Sequence, residues 1–176
     1  MKTFYSALVL ASLLVAPGLV QAQKVTVDYD KGTTFTGYKT YAWTDGTPVK
    51  NQLMHQRILD GVDKQLAAKG FVKVEPTNNP DLIVLYHAAV STQVQLNTTS
   101  MGGWGWRYGG GMTTTDVDKI PIGQLAVDIG DAKTKKLLWV GNASDTLSDD
   151  PSKNEKKINN ALDKMFKKFP PPPAKK

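Results

Sequence analysis

Acid–base or nucleophilic chemistry in this chain would have to start from its two histidines, His55 and His87. A hydroxyl needs a neighbouring base to become a nucleophile, and imidazole is the usual one. Neither histidine stands in a recognisable motif. His55 shares a helical arc with Ile58, Leu59 and Val62, and His87 falls between Leu85 and Ala89 on a strand face. Each is therefore expected to pack with a satisfied ring nitrogen. If the first helix covered the His87 face, the two rings could meet beside an aspartate as a metal site or a hydrolase centre. No HExxH or other local ligand spacing supports that, and no metal or other cofactor is expected. Asp145, Asp149 and Asp150 in "SDTLSDDP" lack the alternating oxygens, central glycine and terminal glutamate of a calcium loop. Capping and charging a helix N-terminus explains them.

"SMGGWGWRYGGGMTTT" sets two tryptophans, an arginine and a tyrosine among glycines. It has neither the Lys-Ser/Thr of a P-loop nor the strand–turn–helix context of a dinucleotide fingerprint. Trp104, Trp106, Arg107 and Tyr108 could stack on a glycan, rest at a lipid surface or meet a protein partner. The alternative is that the rings fold back over a sheet edge while the glycines act as hinges. These four are the candidate contact residues, and an enzyme is the less favoured reading of the chain.

The elements that must position such residues begin after residue 22. Lys2, the apolar run "FYSALVLASLLVA", Pro17-Gly18 and "VQA" have the anatomy of a secretory leader cleaved after Ala22. The run is too short and too soon broken for a membrane span, so the mature form is expected not to be transmembrane. The chain has no cysteine, which removes disulfides, thiolate metal sites and a lipid-accepting thiol. A periplasmic or secreted, non-lipidated protein is the expectation. Formal charge falls from +6 to +5 once Lys2 leaves with the leader. Its lysines cluster in the last quarter, as a solvated helix face does, and nucleic acid is not an expected partner.

"KVTVDYD" alternates as a half-buried strand, and "YKTYAW" suits a second. Met54, Ile58, Leu59, Val62 and Leu66 mark a helix over 51–69 that Gly70 ends. "GFVKVE" starts a third strand. From Leu82, a long strand is apolar on both faces at first, then on its even positions alone as it leaves the core. "MTTTDVDKI" returns beside it. A separate strand "QLAVDIGD" turns through "DAKTK" into "KLLWVGNAS". Ile158, Ala161, Leu162, Met165, Phe166 and Phe169 form the apolar stripe of a closing helix, capped by Asp150-Pro151 or by a box from Ser152. Residues 23–169 thus read as a single two-layer α+β domain, a mostly antiparallel sheet with two amphipathic helices on one face, before a Pro/Lys tail at 170–176.

"YKTYAW", "KGF", "DLIVLYHAAV", the Gly/Trp/Tyr-rich insertion and the block from "GQLAVDIGD" to "KKFPP" together resemble the domain of unknown function 4136 family. The resemblance spans nearly all of the mature chain. It implies an envelope-associated α+β domain, commonly exported and often lipidated, with no established activity and no catalytic residues to carry over. The missing cysteine departs from the lipidated members. An exported, non-enzymatic domain that contacts an envelope glycan, lipid or protein through the aromatic loop is the expected function. An envelope hydrolase or metal-binding protein using His55 and His87 is the alternative.

Overall fold

Each helix opens on a side-chain cap. Asn51 accepts from the Met54 amide at 3.0 Å and starts α1 (Gln52–Ala68), which Gly70 leaves in a left-handed turn at φ +84°. Asp150 accepts from the Ser152 amide at 2.9 Å and starts α2 (Pro151–Phe166), so Asp150-Pro151 is the cap rather than the box from Ser152. The computed structural model describes residues 23–101 and 112–172. The leader, the loop with Trp104, Trp106, Arg107 and Tyr108, and residues 173–176 lie outside the described residues.

The strands are β1 (Lys24–Tyr29), β2 (Thr40–Trp43), β3 (Val72–Lys73), β4 (Leu82–Met101), β5 (Met112–Asp131) and β6 (Leu137–Thr146). They form one sheet in the order β1-β6-β5-β4-β2-β3. Pairing is antiparallel except at β2, which runs parallel to both β4 and β3. The two strands expected between Met112 and Asp131 are one. Pro121 does not break it, because β6 stops pairing at Ile122–Thr146 and β5 is a sheet edge from there outward, where a missing N–H costs no ladder bond. The "DAKTK" turn is held by Asp131, whose Oδ1 accepts from the amides of Lys133 at 2.9 Å and Thr134 at 2.7 Å.

α1 and α2 lie side by side on one face of the sheet and point the same way, linked by Arg57 to Glu155 at 3.2 Å and by Gln65 to Asp163. Beneath them the even residues Leu82, Val84 and Tyr86 of β4 and Leu125, Val127 and Ile129 of β5 are buried. This is a single α+β domain with a mostly antiparallel sheet. At one end, Phe169, just past α2, meets Trp139 at 5.2 Å, Phe35 at 5.4 Å, Phe71 at 5.5 Å and Phe166 at 5.8 Å between ring centres. Burial of rings this large supplies about 1.5–3 kcal/mol each before entropy is subtracted.

The opposite face of the sheet is open. Ile83 and Leu85 are only half-buried and His87 is exposed. The start of β4 is therefore not covered on both faces, because both helices went to the even side.

Candidate functional site

The segment between β2 and α1 shapes the site. Its backbone is riveted to β4 by Thr44 N to Val84 O at 2.9 Å, Thr47 N to Tyr86 O at 3.0 Å and Ala88 N to Thr47 O at 3.0 Å. So close an approach needs glycine at 46, where a Cβ would stand 2.1 Å from the Tyr86 carbonyl oxygen. Pro48 and Val49 are thereby held as a wall over the sheet.

Behind that wall a groove of about 710 Å³ opens between the starts of the two helices. Ala88, Leu125 and Ala143 stand in register on β4, β5 and β6 and form its floor. Met54 and Ile58 of α1, Ile158 and Ala161 of α2 and Leu147 enclose it. Small residues on the floor leave the space that larger ones would fill.

Polar groups at the rim are engaged with one another. Lys157 Nζ donates to Asp145 Oδ1 at 3.1 Å, Thr146 O at 2.6 Å and Thr146 Oγ1 at 3.1 Å. Asn154 accepts from the Ser148 amide at 2.8 Å and donates to the Ser148 carbonyl at 2.7 Å. Gln23 donates to Lys157 O at 2.8 Å. What these residues leave for a ligand is chiefly apolar surface, the usual character of a small-molecule cleft.

The apolar floor runs on past the body. From Thr92↔Pro121 to Met101↔Met112, β4 and β5 pair only with each other and project as a two-stranded arm. Val94, Leu96 and Val117 lie on its helix-side face at 56%, 64% and 55% exposure, and Val90, at its root, is 65% exposed on the same face. Ser91, Gln93, Gln95 and Asn97 alternate onto the other face.

The histidines are not brought together. His55 lies on the helix side, where its Nδ1 shares a hydrogen bond with the Tyr86 hydroxyl, while His87 follows Tyr86 in β4 and points to the open face. The expected route to a two-histidine metal or hydrolase centre fails on that alternation. Among the described residues, no three of His, Asp and Glu gather as metal ligands. His87 Nδ1 is 2.8 Å from Thr47 Oγ1, a hydroxyl–imidazole pair. The Thr47 amide and carbonyl are both spent on β4, so the Thr47 backbone offers no donor to an oxyanion there. Asp128, diagonal to His87 on the same face, has its carboxyl pushed up by burial and drawn back in part by His87.

Trp104, Trp106, Arg107 and Tyr108, the contact residues expected from the sequence, lie outside the described residues. Sequence reasoning missed the groove, although two signals for it were present. Ala88 interrupts a run of large residues on the core face of β4, and Val90, Val94 and Leu96 keep the apolar alternation going where the other face has turned polar.

Comparison with known proteins gives a family model, the domain of unknown function DUF4136, matching residues 25–171. No curated protein is significantly similar in sequence. Among solved structures, a PDZ domain protein from Parabacteroides distasonis matches at TM-score 0.56 and 17% identity, over 85% of this chain and 35% of that one. The chain thus spans about a third of that protein's length, and the likeness is one of fold. The PelC dodecamer from Paraburkholderia phytofirmans matches at TM-score 0.45 and 17% identity, over 81% of this chain and 99% of that one.

Proposed function

The chain belongs to the DUF4136 family, and from that premise we propose that it is an exported, non-enzymatic binding module of the cell envelope that takes an apolar ligand in the groove over Ala88 and Ala143. The leader anatomy of residues 1–22 supports export. The groove carries the binding reading: its enclosing side chains are chiefly apolar, and Lys157 and Asn154 at its rim already have internal partners. A ligand rich in hydrogen-bonding groups would lose its water without replacement there, whereas each buried methylene gains about 0.8 kcal/mol. Trp104, Trp106, Arg107 and Tyr108, between the two strands of the arm in sequence, are proposed as a second contact with the envelope partner.

The test is a fluorescence titration of the exported chain with a dansylated medium-chain fatty acid. Saturable binding that Ala143→Phe weakens at least tenfold, by filling the groove, is the expected result. Gln95→Asp on the arm's other face should leave it unchanged. Absence of saturable binding, or equal binding by the Ala143→Phe protein, overturns the proposal. Acrylamide quenching of a Trp104→Phe, Trp106→Phe variant against the parent chain, with and without anionic vesicles or peptidoglycan fragments, tests the loop.

A further inference from the structure

Beyond β6, the arm has two free backbone edges and one apolar face. An isolated two-stranded ribbon is at best marginally stable in water, and soluble monomers seldom expose contiguous apolar patches. Val90, Val94, Leu96 and Val117 are each more than half exposed, and with Thr92 and Lys119 among them they continue the line of the groove floor. We propose that this face is covered by the same face of a second copy, the two arms packing apolar side to apolar side about a two-fold axis, with each arm ending at the mouth of its partner's groove.

Self-complementarity favours a copy over other occupants. Stripe and groove mouth lie on one face of one sheet, so a two-fold axis matches apolar surface to apolar surface with no second protein required. Area sets a condition on the pairing. A ribbon roughly 30 Å long and about 10 Å wide offers on the order of 300 Å² in plan. A stable pair buries roughly 800 Å² per partner. Contact between arms alone therefore falls short, so the pairing also requires contact with the partner's body at the groove mouth, by Pro48, Val49 and Leu147. A bilayer is disfavoured because Lys119, opposite Val94, sits in the same stripe, where lipid would strip its ammonium of water. Against another arm its methylenes can cover apolar surface while the charge leaves past the ribbon edge.

Sedimentation velocity of the exported chain from low to high micromolar concentration tests the proposal. The expected result is a mass rising from one chain to two, and a Val94→Asp, Leu96→Asp variant that stays at one chain with unchanged circular dichroism and unfolding midpoint. Should that variant unfold, single thiols decide, since the chain has no cysteine of its own. Leu96→Cys, near the two-fold axis of the stripe, should be captured as a pair by a short bis-maleimide, and Gln95→Cys on the other face should not. One chain at every concentration, pairing that survives the double variant, or equal capture of both thiols overturns the proposal. A one-chain protein that floats with anionic phospholipid vesicles also overturns it and assigns the stripe to lipid. Fatty-acid binding in the groove is read separately and can fail or succeed on its own.

Discussion

Gly61 of α1 lies against Leu162 of α2 so closely that a Cβ on the glycine would stand 2.6 Å from Leu162 Cδ1. In sequence, Gly61 looks like a weakness in a helix interior, costing about 1 kcal/mol against alanine. In the fold it is what lets two parallel helices approach over one sheet face and places both of their first turns at the groove.

Gly61→Ala should therefore destabilise the protein, against the propensity trend. Leu162 is 1% exposed, and its Cδ1 must shift within the core to admit the added carbon. Overpacking of about 1–3 kcal/mol should exceed the propensity gain and leave a net loss on the order of 1 kcal/mol. Urea unfolding measures it, and a Gly61→Ala, Leu162→Ala double variant should show coupling, because the second change removes the clash. A stabilised single variant would mean the helices can separate without cost.

Gly46→Ala should be more damaging. Here the obstacle is the Tyr86 carbonyl, part of the sheet backbone, and no side-chain rotation relieves a 2.1 Å contact. The segment must lift from β4, losing the bonds at Thr44, Thr47 and Ala88 and with them the Pro48–Val49 wall. A loss of about 3 kcal/mol or more is expected, together with faster amide exchange at Thr47 and Ala88. Unchanged exchange at those two amides would show that the wall is not held by this approach.

Much of the fold was legible because local chemistry and global packing agree. Asn51 and Gly70 bracket α1, Asp150-Pro151 opens α2, and the six-residue apolar stripe from Ile158 to Phe169 needed a partner surface. The turn at 131–136 was legible for the same reason, since Asp131 caps its own loop. What failed depended on sheet order. Pro121 reads as a strand break only if β5 has neighbours on both sides. Period-two alternation groups His87 with Leu85 but cannot say which face the helices take. The groove floor joins residues on β4, β5 and β6 that are remote in sequence, so no local signal assembles it.

Asp63→Ala should cost about 3 kcal/mol by orphaning groups on two strands. Asp63 Oδ1 accepts from the Tyr41 hydroxyl at 2.8 Å and Trp43 Nε1 at 2.7 Å, and Oδ2 receives Lys73 Nζ at 2.9 Å. Tyr41 is 1% exposed, and its phenol is pushed up first by burial and then by this carboxylate. Losing the acceptor leaves a buried donor unmatched, at about 1–3 kcal/mol for each such group. The exposed lysine contributes little. Tyr41→Phe in the Asp63→Ala background should then cost much less than in the parent, as a thermodynamic cycle by urea unfolding would show. Additive losses would mean that the two residues act separately.

Asp128→Asn should stabilise the protein at neutral pH and leave its stability unchanged in acid. Burial raises the folded-state pKa of Asp128 above the ordinary aspartate value of 3.8, with the nearby His87 opposing in part. Its Oδ1 is covered and has no hydrogen-bond partner among the described residues. For an acid raised on folding, the native state holds the proton longer than the unfolded chain does. The favourable contribution is thus fully present below pH 3.8 and is lost as pH rises through the folded-state pKa. Removing the charge removes that loss. The residue is only half-buried, so solvent screening keeps the gain below about 1 kcal/mol. Urea unfolding of both proteins across the acid range should give curves that coincide at the acid end and separate as pH rises, with the variant higher. Curves that stay together up to neutral pH, or a parent that is the more stable there, would show that the Asp128 carboxylate is solvated well enough to ionise without strain.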